Sequence, residues 1–151
     1  MSIESVQKHF SEKGLDFKIV EFEESTATVE LAALALGVEP ARIAKTMAFR
    51  LKEKDILILS KGDARVDNRK YKDTFGEKAK MLKPDEVLEV TGHPVGGVCP
   101  FGLKNNLEIY LDISLKAFDS VFPAAGSRNS AVEMTPSQLE DVTGATWIDV
   151  C

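Results

Sequence analysis

The feature that most constrains the fold is a segment rich in glycine and proline, residues 91–102, which reads Thr-Gly-His-Pro-Val-Gly-Gly-Val-Cys-Pro-Phe-Gly. It holds four of the chain's ten glycines and two of its six prolines. Glycine permits positive φ and close approach of the backbone to a ligand, whereas proline fixes φ and removes an N–H donor. The composition therefore predicts an ordered loop, which is either a tight structural turn or a loop that carries binding groups.

An internal comparison separates these alternatives. Residues 84–92 (Pro-Asp-Glu-Val-Leu-Glu-Val-Thr-Gly) resemble residues 136–144 (Pro-Ser-Gln-Leu-Glu-Asp-Val-Thr-Gly), and each predicts a short helix that begins at proline and ends before glycine. An ordinary strand pattern, residues 145–150, follows the second unit. Three more glycines and two prolines follow the first, which is more than helix termination requires. We therefore favour a functional loop.

Length and composition indicate a soluble globular protein. The 151 residues fit one domain, residues 1–151, and 44% hydrophobic with 28% charged residues is near the average for soluble domains. No apolar run approaches the ~18 residues of a membrane span, and no signal-peptide core follows the first residues. We expect a cytoplasmic protein without a membrane partner.

Metal and nucleotide chemistry find little support in the sequence. The chain has two cysteines, Cys99 and Cys151, no Cys-x-x-Cys motif, and two histidines, His9 and His93. Neither a disulfide framework nor a zinc site is indicated, so we expect no metal and no cofactor. The glycine-rich loop also lacks both phosphate-binding patterns, Gly-x-x-x-x-Gly-Lys-Ser/Thr and Gly-x-Gly-x-x-Gly, which disfavours nucleotide hydrolysis.

Charge is unevenly distributed. Residues 42–83 contain thirteen of the nineteen Lys and Arg residues against six acids, a local charge of +7 within a chain of −5. Such a segment is either a solvated surface or a phosphate-facing patch on a body that otherwise repels polyanions. The second alternative predicts a small footprint on a nucleic acid.

The pattern along the chain is that of an α+β domain with a mixed sheet. Helices are predicted at residues 2–13, 29–36, 67–75, 84–91 and 136–143. Strands are predicted at residues 16–22, 44–51, 55–60, 107–112, 121–125, 131–134 and 145–150. The alanine- and leucine-rich helix at 29–36 is expected to be buried.

Lys45 is the second informative residue. In a strand over residues 43–51 it shares a face with Ile43, Met47 and Phe49 and is the only charge on that face. Its stem either extends along apolar surface to solvent, or its ammonium points into a pocket where it can hold a phosphate, a carbonyl or a developing oxyanion.

Other reactive side chains are weaker candidates. Cys99 with His93 would fit a thiol hydrolase, but no third orienting group accompanies them, and a packed thiol is the commoner arrangement. Asp112 shares a strand face with Glu108, and a solvated strand face is favoured over a paired-carboxylate site.

Together these pieces resemble the YbaK/prolyl-tRNA-synthetase-associated editing domains. The resemblance is carried by Ser25-Thr26, Ala44-Lys45-Thr46, Lys61-Gly62-Asp63, the 92–102 loop, Asp112 and Ala125-Gly126-Ser127. Its most specific elements are Ile-Ala-Lys-Thr around Lys45 and Gly-Gly-Val-Cys-Pro-Phe-Gly, which is similar to the family's Gly-Gly-Val-Ser-Pro-Phe-Gly. One departure is Cys99 in the serine position.

The resemblance implies both a fold and an activity. The fold would be a mixed, strongly curved or barrel-like sheet of six to seven strands with flanking helices. The family hydrolyses the ester of amino acids wrongly attached to tRNA, mainly proline tRNA, and this chain looks like its free-standing form. The implied partner is the acceptor end of an aminoacyl-tRNA, and prolyl-tRNA synthetase is left open as a second partner. The alternative is a non-catalytic module that binds tRNA or a synthetase.

The resemblance also implies site residues. Lys45 would be catalytic, Gly96 and Gly97 would let backbone N–H groups approach the substrate, and Gly126 with Ser127 would close the other wall. The remaining expected substrate-binding residues are Ser25, Thr26, Thr46, Val98, Pro100, Phe101, Gly102 and Asp112. The expected contacts with tRNA phosphates are Arg65, Arg69, Lys70 and Lys72. Cysteine, alanine, serine and threonine all stay open as the amino acid removed.

Overall fold

The computed structural model describes residues 2–151 and confirms the α+β class. The α-helices are α1 (Ser2–Glu12), α2 (Val29–Leu36), α3 (Asn68–Phe75), α4 (Pro84–Thr91) and α5 (Pro136–Thr143). The strands are β1 (Ile19–Glu21), β2 (Ile43–Arg50), β3 (Asp55–Lys61), β4 (Glu108–Asp112), β5 (Phe122–Pro123), β6 (Ser130–Val132) and β7 (Thr146–Ile148). All five helices and seven strands fall where the sequence predicts them, but β1, β5 and β7 are shorter.

The sheet is mixed. Five strands have the order β5-β2-β3-β4-β7, in which β2 and β3 are antiparallel and the other pairs are parallel. A separate antiparallel pair joins β1 to β6. Isolated bridges from Val121 to Met134 and from Ala124 to Ala131 connect the β5 segment to the β6 segment. The strands thus follow one another as β7-β4-β3-β2-β5-β6-β1, and within residues 2–151 no strand pairing between β1 and β7 closes them into a barrel.

The β2–β3 hairpin separates two packed layers, because alternate residues of a strand point to opposite faces. On one face, Phe49 packs against Tyr71 of α3, with their ring centroids 5.1 Å apart. On the other face, Ala48 and Leu57 pack against Val87 of α4. The hairpin is therefore covered on both sides.

Local capping chemistry explains where the helices end. The Thr28 side chain accepts a hydrogen bond from the Leu31 N–H at the start of α2. The two similar units, α4 and α5, both begin at proline and end at a left-handed glycine, Gly92 and Gly144. The repeat seen in the sequence is thus a repeated pair of helix boundaries.

Helix α2 is less buried than the sequence predicts. Leu31 and Leu34 are 41% and 80% exposed, and only Ala32 and Ala33 are buried. The helix packs through its small alanine side chains against Ile43 at the start of β2. Because it lies against the edge of the sheet and not between two layers, its leucine side remains uncovered.

One edge of β2 is only partly paired, and this creates the space for a site. The ladder with β5 ends at Ala44, and the next contacts on that edge are made by residues 80–82. There the Leu82 N–H donates to the Ala48 carbonyl, and the Arg50 N–H donates to the Lys80 carbonyl. Between these contacts the edge is open. Among the described residues, no α-helix has the length and apolar composition needed to cross a membrane.

Candidate active site

A cleft of about 350 Å³ lies at the open edge of β2. Five segments surround it: residues 26–32 at the start of α2, residues 43–48 of β2, residues 81–87, residues 95–98 of the glycine-rich loop, and residues 122–131. The structure thus brings three separately predicted features, Lys45, Thr26 and the glycine-rich loop, to one place.

The lining of the cleft is almost entirely neutral. Among its described lining residues, Lys45 is the only charged one. The rest are apolar or small, apart from the hydroxyl-bearing residues Thr26, Thr28, Thr46 and Ser130. A positive charge in neutral, partly apolar surroundings interacts more strongly with a bound group than it would in bulk water.

Lys45 is half-buried, and its Nζ donates a hydrogen bond to the Ala64 carbonyl. Burial lowers the pKa of the ammonium, while the nearby Asp63 acts in the opposite direction. No carboxylate of residues 2–151 lies within ion-pair distance of it. An ammonium has three N–H donors, so this side chain keeps donors for a ligand.

Two hydroxyls of the cleft lack partners. Thr26 Oγ1 and Thr46 Oγ1 are buried and make no hydrogen bond within the described chain. A buried polar atom without a partner costs roughly 1–3 kcal/mol, which makes such atoms notable in a stable fold. Their position in the cleft makes both of them candidates to bond a substrate.

The glycine-rich loop contributes to the cleft through Val95, Gly96 and Val98. Gly96 has φ 93°, and a Cβ on it would lie 2.9 Å from the Ala27 Cβ. A side chain at this position would therefore collide with the opposite wall. Only glycine allows the loop to approach the start of α2 this closely.

Gly97 has a different role from the one expected. Its N–H already donates to the Pro94 carbonyl at 2.9 Å, and its carbonyl accepts from the Gly126 N–H at 3.1 Å. A Cβ on Gly97 would lie 2.7 Å from the Ser127 carbonyl carbon. In this structure Gly97 packs the loop against the 126–127 turn, and its expected part in substrate binding stays a prediction.

Gly126 and Ser127 contact residues of the cleft wall without lining the cleft themselves. Neither is among the lining residues, but the Ser127 hydroxyl lies 2.6 Å from the hydroxyl of Ser130, which does line the cleft. Sequence reasoning missed Ser130. The only available signal was its position directly after the Gly126-Ser-Arg-Asn turn.

The second half of the glycine-rich loop enters the core and does not line the cleft. Phe101 is fully buried, and its ring centroid lies 5.0 Å from that of Phe10 in α1. Gly102 packs on the backbone of Ser5, and Pro100 is buried. These expected substrate-binding residues anchor the loop to α1.

Asp112 and Ser25 are likewise structural in this arrangement. The Asp112 carboxylate accepts hydrogen bonds from the Ser114 N–H at 2.9 Å and the Val150 N–H at 2.8 Å, and it lies outside the cleft. The Ser25 hydroxyl accepts from the Ala27 N–H at 3.1 Å. Ser25 therefore shapes the backbone against which Gly96 packs.

Cys99 is not among the residues that line the cleft, and its surroundings do not favour a nucleophile. Its thiol is fully buried, and burial raises its pKa to about 12, so it stays protonated at neutral pH. His93 Nε2 lies 2.6 Å from the Phe101 carbonyl, and burial lowers the pKa of this imidazole. Both side chains belong to the core half of the loop.

The four expected phosphate contacts lie outside the cleft. Arg65, Arg69, Lys70 and Lys72 are exposed, but none is among the lining residues. Lys70 Nζ bonds the Asp149 carboxylate at 3.2 Å and the Cys151 carbonyl at 2.9 Å. Their role in tRNA binding stays a prediction. Within the described chain, no three His, Cys, Asp or Glu side chains are grouped closely enough to hold a metal ion.

Several known proteins are similar to this chain in sequence and in fold. The Aminoacyl-tRNA editing domain family matches residues 23–142. The uncharacterized protein YwhH of Bacillus subtilis is 54% identical and covers 100% of this chain and 98% of its own length. EbsC of Enterococcus faecalis, proposed to be a Cys-tRNA(Pro)/Cys-tRNA(Cys) deacylase, is 26% identical over 84% of this chain and 79% of its own.

The names of two further relatives refer to prolyl-tRNA synthesis. A proline–tRNA ligase of Bacillus licheniformis is 30% identical over 85% of this chain, which corresponds to 23% of the ligase. A crystal structure proposed to be that of a trans-editing enzyme for prolyl tRNA synthetase superposes with a TM-score of 0.91 at 34% identity, over 99% of this chain and 96% of the other. The chain belongs to the aminoacyl-tRNA editing domain family, of the YbaK type, and this membership points to aminoacyl-tRNA editing as its activity.

Proposed function

We propose that this protein is a deacylase that hydrolyses the ester between a small, neutral amino acid and a tRNA to which it was wrongly attached, with proline tRNA as the preferred substrate. The observation that carries the proposal is Lys45, the single charge among the described residues that line an otherwise neutral cleft. Family membership supplies the reaction class, and the proline–tRNA ligase and trans-editing relatives support the choice of tRNA.

The lining of the cleft favours a small, neutral amino acid. Its inner surface is formed by short side chains such as Ala44, Ala48 and Val98, and none of its described lining residues carries a carboxylate that could pair with a cationic side chain. The unpartnered hydroxyls of Thr26 and Thr46 suit the polar atoms of an aminoacyl group. Cysteine, alanine, serine and threonine all fit this description.

Hydrolysis of this ester requires few catalytic groups from the protein, because an ester is already activated relative to an amide. Water adds to the ester carbonyl carbon, the carbonyl oxygen becomes an oxyanion, and the bond to the ribose oxygen breaks as that oxygen gains a proton. Lys45 Nζ would donate to the oxyanion with the donors that Ala64 leaves free. The described lining contains no His, Asp or Glu, so the neighbouring ribose hydroxyl of the substrate is the proposed proton carrier.

The acceptor end of the aminoacyl-tRNA is the proposed partner, and a prolyl-tRNA synthetase is the proposed second partner. The proline–tRNA ligase relative carries a similar domain within its own chain. A contact with the synthetase would bring this chain near freshly charged tRNA and raise its effective concentration there.

A panel of charged tRNAs tests the proposal. The purified protein is incubated with proline tRNA that carries alanine, cysteine, serine or threonine, and with correctly charged proline tRNA as the control. We expect at least one of the four mischarged species to lose its amino acid faster than in buffer, while the prolyl ester survives. If none does, the catalytic proposal fails. Binding without turnover would favour the alternative, a non-catalytic tRNA-binding module.

A further inference from the structure

The mouth of the cleft carries a basic rim, which is formed by the last part of the positively charged segment 42–83. Residues 78–83, here called the rim segment, cross the open edge of β2, held by hydrogen bonds from the Arg50 N–H to the Lys80 carbonyl at 2.8 Å and from the Leu82 N–H to the Ala48 carbonyl at 3.0 Å. Leu82 is buried under α4, whereas Met81 is 58% exposed, and both line the cleft.

The lysines of the rim segment do not form direct ion pairs. Lys78, Lys80 and Lys83 are exposed, and within residues 2–151 none of them forms an ion pair. Two nearby carboxylates are already engaged: Glu77 accepts from the Lys52 N–H, and Glu86 pairs with Arg50 at 2.5 Å. Glu86 also interacts electrostatically with Lys83, so the positive charge that the rim segment presents beside the cleft is only partly compensated.

The opposite side of the mouth repeats the combination of an apolar side chain and a cation. Val95 is 45% exposed and lines the cleft. The Arg128 Nε donates to the Val95 carbonyl at 3.0 Å, which places an exposed guanidinium beside it. Cations thus lie on both sides of the mouth, with Met81 and Val95 on its apolar rim.

This arrangement matches a single-stranded nucleic acid end. Each nucleotide offers a phosphate for a cation and a flat base for an apolar side chain, and proteins that bind single strands combine both kinds of contact. Helix α3, in contrast, supplies no residue to the lining of the cleft. Lys70 of that helix is also already bonded to Asp149.

We propose that the single-stranded 3′ end of the tRNA enters the cleft over the rim segment, with Lys80 and Lys83 on one side and Arg128 on the other meeting its phosphates. The identity of the ligand rests on the proposed function. The proposed contact surface therefore moves from residues 65–72, where the sequence analysis expects the phosphate contacts, to residues 78–83 at the end of the same basic segment.

Salt dependence of binding tests this assignment with a matched control. The ligand is an acceptor-stem minihelix whose 3′ end carries alanine through an amide in place of the ester, so that it binds without being consumed. The rim variant is Lys80→Gln/Lys83→Gln, and the control is Arg69→Gln/Lys72→Gln on α3, which removes the same charge. A minihelix without the single-stranded end serves as a second ligand.

We expect the rim variant to show a salt slope shallower by about 1.4 in log K against log salt, because two contacts of about 0.7 each are lost. Between 50 and 200 mM salt the wild-type affinity should therefore fall about sevenfold further than that of the rim variant. The control should match the wild type, and the blunt minihelix should bind both variants alike.

Three outcomes would overturn the assignment: an unchanged slope in the rim variant, a loss confined to the α3 control, or no binding by the wild type. Deacylation is measured separately on ester-linked tRNA. A rim-dependent slope in a protein that deacylates nothing would uphold the contact surface while the proposed function fails. Deacylation by the wild type, together with a shallower slope in the rim variant, would support both.

Discussion

The two halves of the glycine- and proline-rich loop differ in what they contact. Three of the residues 95–98 line the cleft, namely Val95, Gly96 and Val98, and Gly96 approaches Ala27 there. Residues 99–102 enter the core, where Phe101 is fully buried against Phe10. A composition that looks uniform in the sequence therefore serves two purposes, since one half shapes a site and the other fixes the loop to α1.

The second helix–glycine unit shows what the loop adds. Both α4 and α5 end at a left-handed glycine, but β7 follows α5 almost at once, whereas the chain from Gly92 does not form a strand until β4 at Glu108. The extra residues carry the chain past the cleft and back into the core. Substitutions in the two halves of the loop should therefore have separable effects on activity and stability.

Phe101→Ala should produce the largest loss of stability. Removing a fully buried phenyl ring costs about 3–5 kcal/mol, a large part of the ~5–15 kcal/mol that stabilises a typical domain. Urea unfolding of this variant beside Val95→Ala, which trims an exposed residue of the cleft half, measures the difference. Equal losses in the two variants would show that the halves are not distinct.

Gly97→Ala should have the next largest effect, because the new Cβ would lie 2.7 Å from the Ser127 backbone. Backbone cannot yield as a flexible side chain can, so we expect a loss of about 1–3 kcal/mol in stability. Since Gly97 joins the cleft half to the wall behind it, deacylation per folded molecule should fall as well. Wild-type melting with reduced activity would contradict the packing role.

Lowering the pH tests the core half through His93. Burial lowers the pKa of this imidazole from its ordinary 6.5, so the folded state binds fewer protons than the unfolded state. Its contribution to stability is therefore present above about pH 6.5 and is lost as the pH falls below that value. Wild-type stability should drop more between pH 7.5 and 5.5 than that of His93→Gln, which retains His9 as an internal control.

Cys99→Ser should have the smallest effect. The serine hydroxyl can donate to the Phe101 carbonyl, which the Cys99 thiol faces at 3.7 Å, so the stability change should stay within about 1 kcal/mol. Deacylation per folded molecule should equal that of the wild type because Cys99 does not reach the cleft. Loss of activity at unchanged stability would instead support the thiol-hydrolase hypothesis.

The sequence predicts local structure well. All five helices were placed within a residue or two, since proline, hydroxyl caps and terminal glycines act on their immediate neighbours. The short strands were predicted too long, because the ends of β1 and β5 depend on partners more than a hundred residues away or on an isolated bridge. Pairing between distant segments leaves no local signal.

The site was also predictable only where its residues leave a local signal in the sequence. A lone charge among apolar alternation marks Lys45, and excess glycine marks the loop, so both features could be read from the chain. The burial of Phe101, the occupied N–H of Gly97 and the position of Ser130 depend on which segments meet in space. The position of the rim segment also depends on such a meeting, because this segment reaches the cleft by pairing with the edge of β2.

Lys45→Met is the most direct test of the central claim that this ammonium acts on the substrate and does not hold the fold together. Burial already disfavours its charged form, so the variant should melt no lower than the wild type. Deacylation should fall about 100- to 1000-fold, the usual effect of removing one oxyanion donor. Lys8→Met, which removes an exposed lysine of α1, controls for the loss of one charge. Full deacylation by Lys45→Met at unchanged melting temperature would contradict the account.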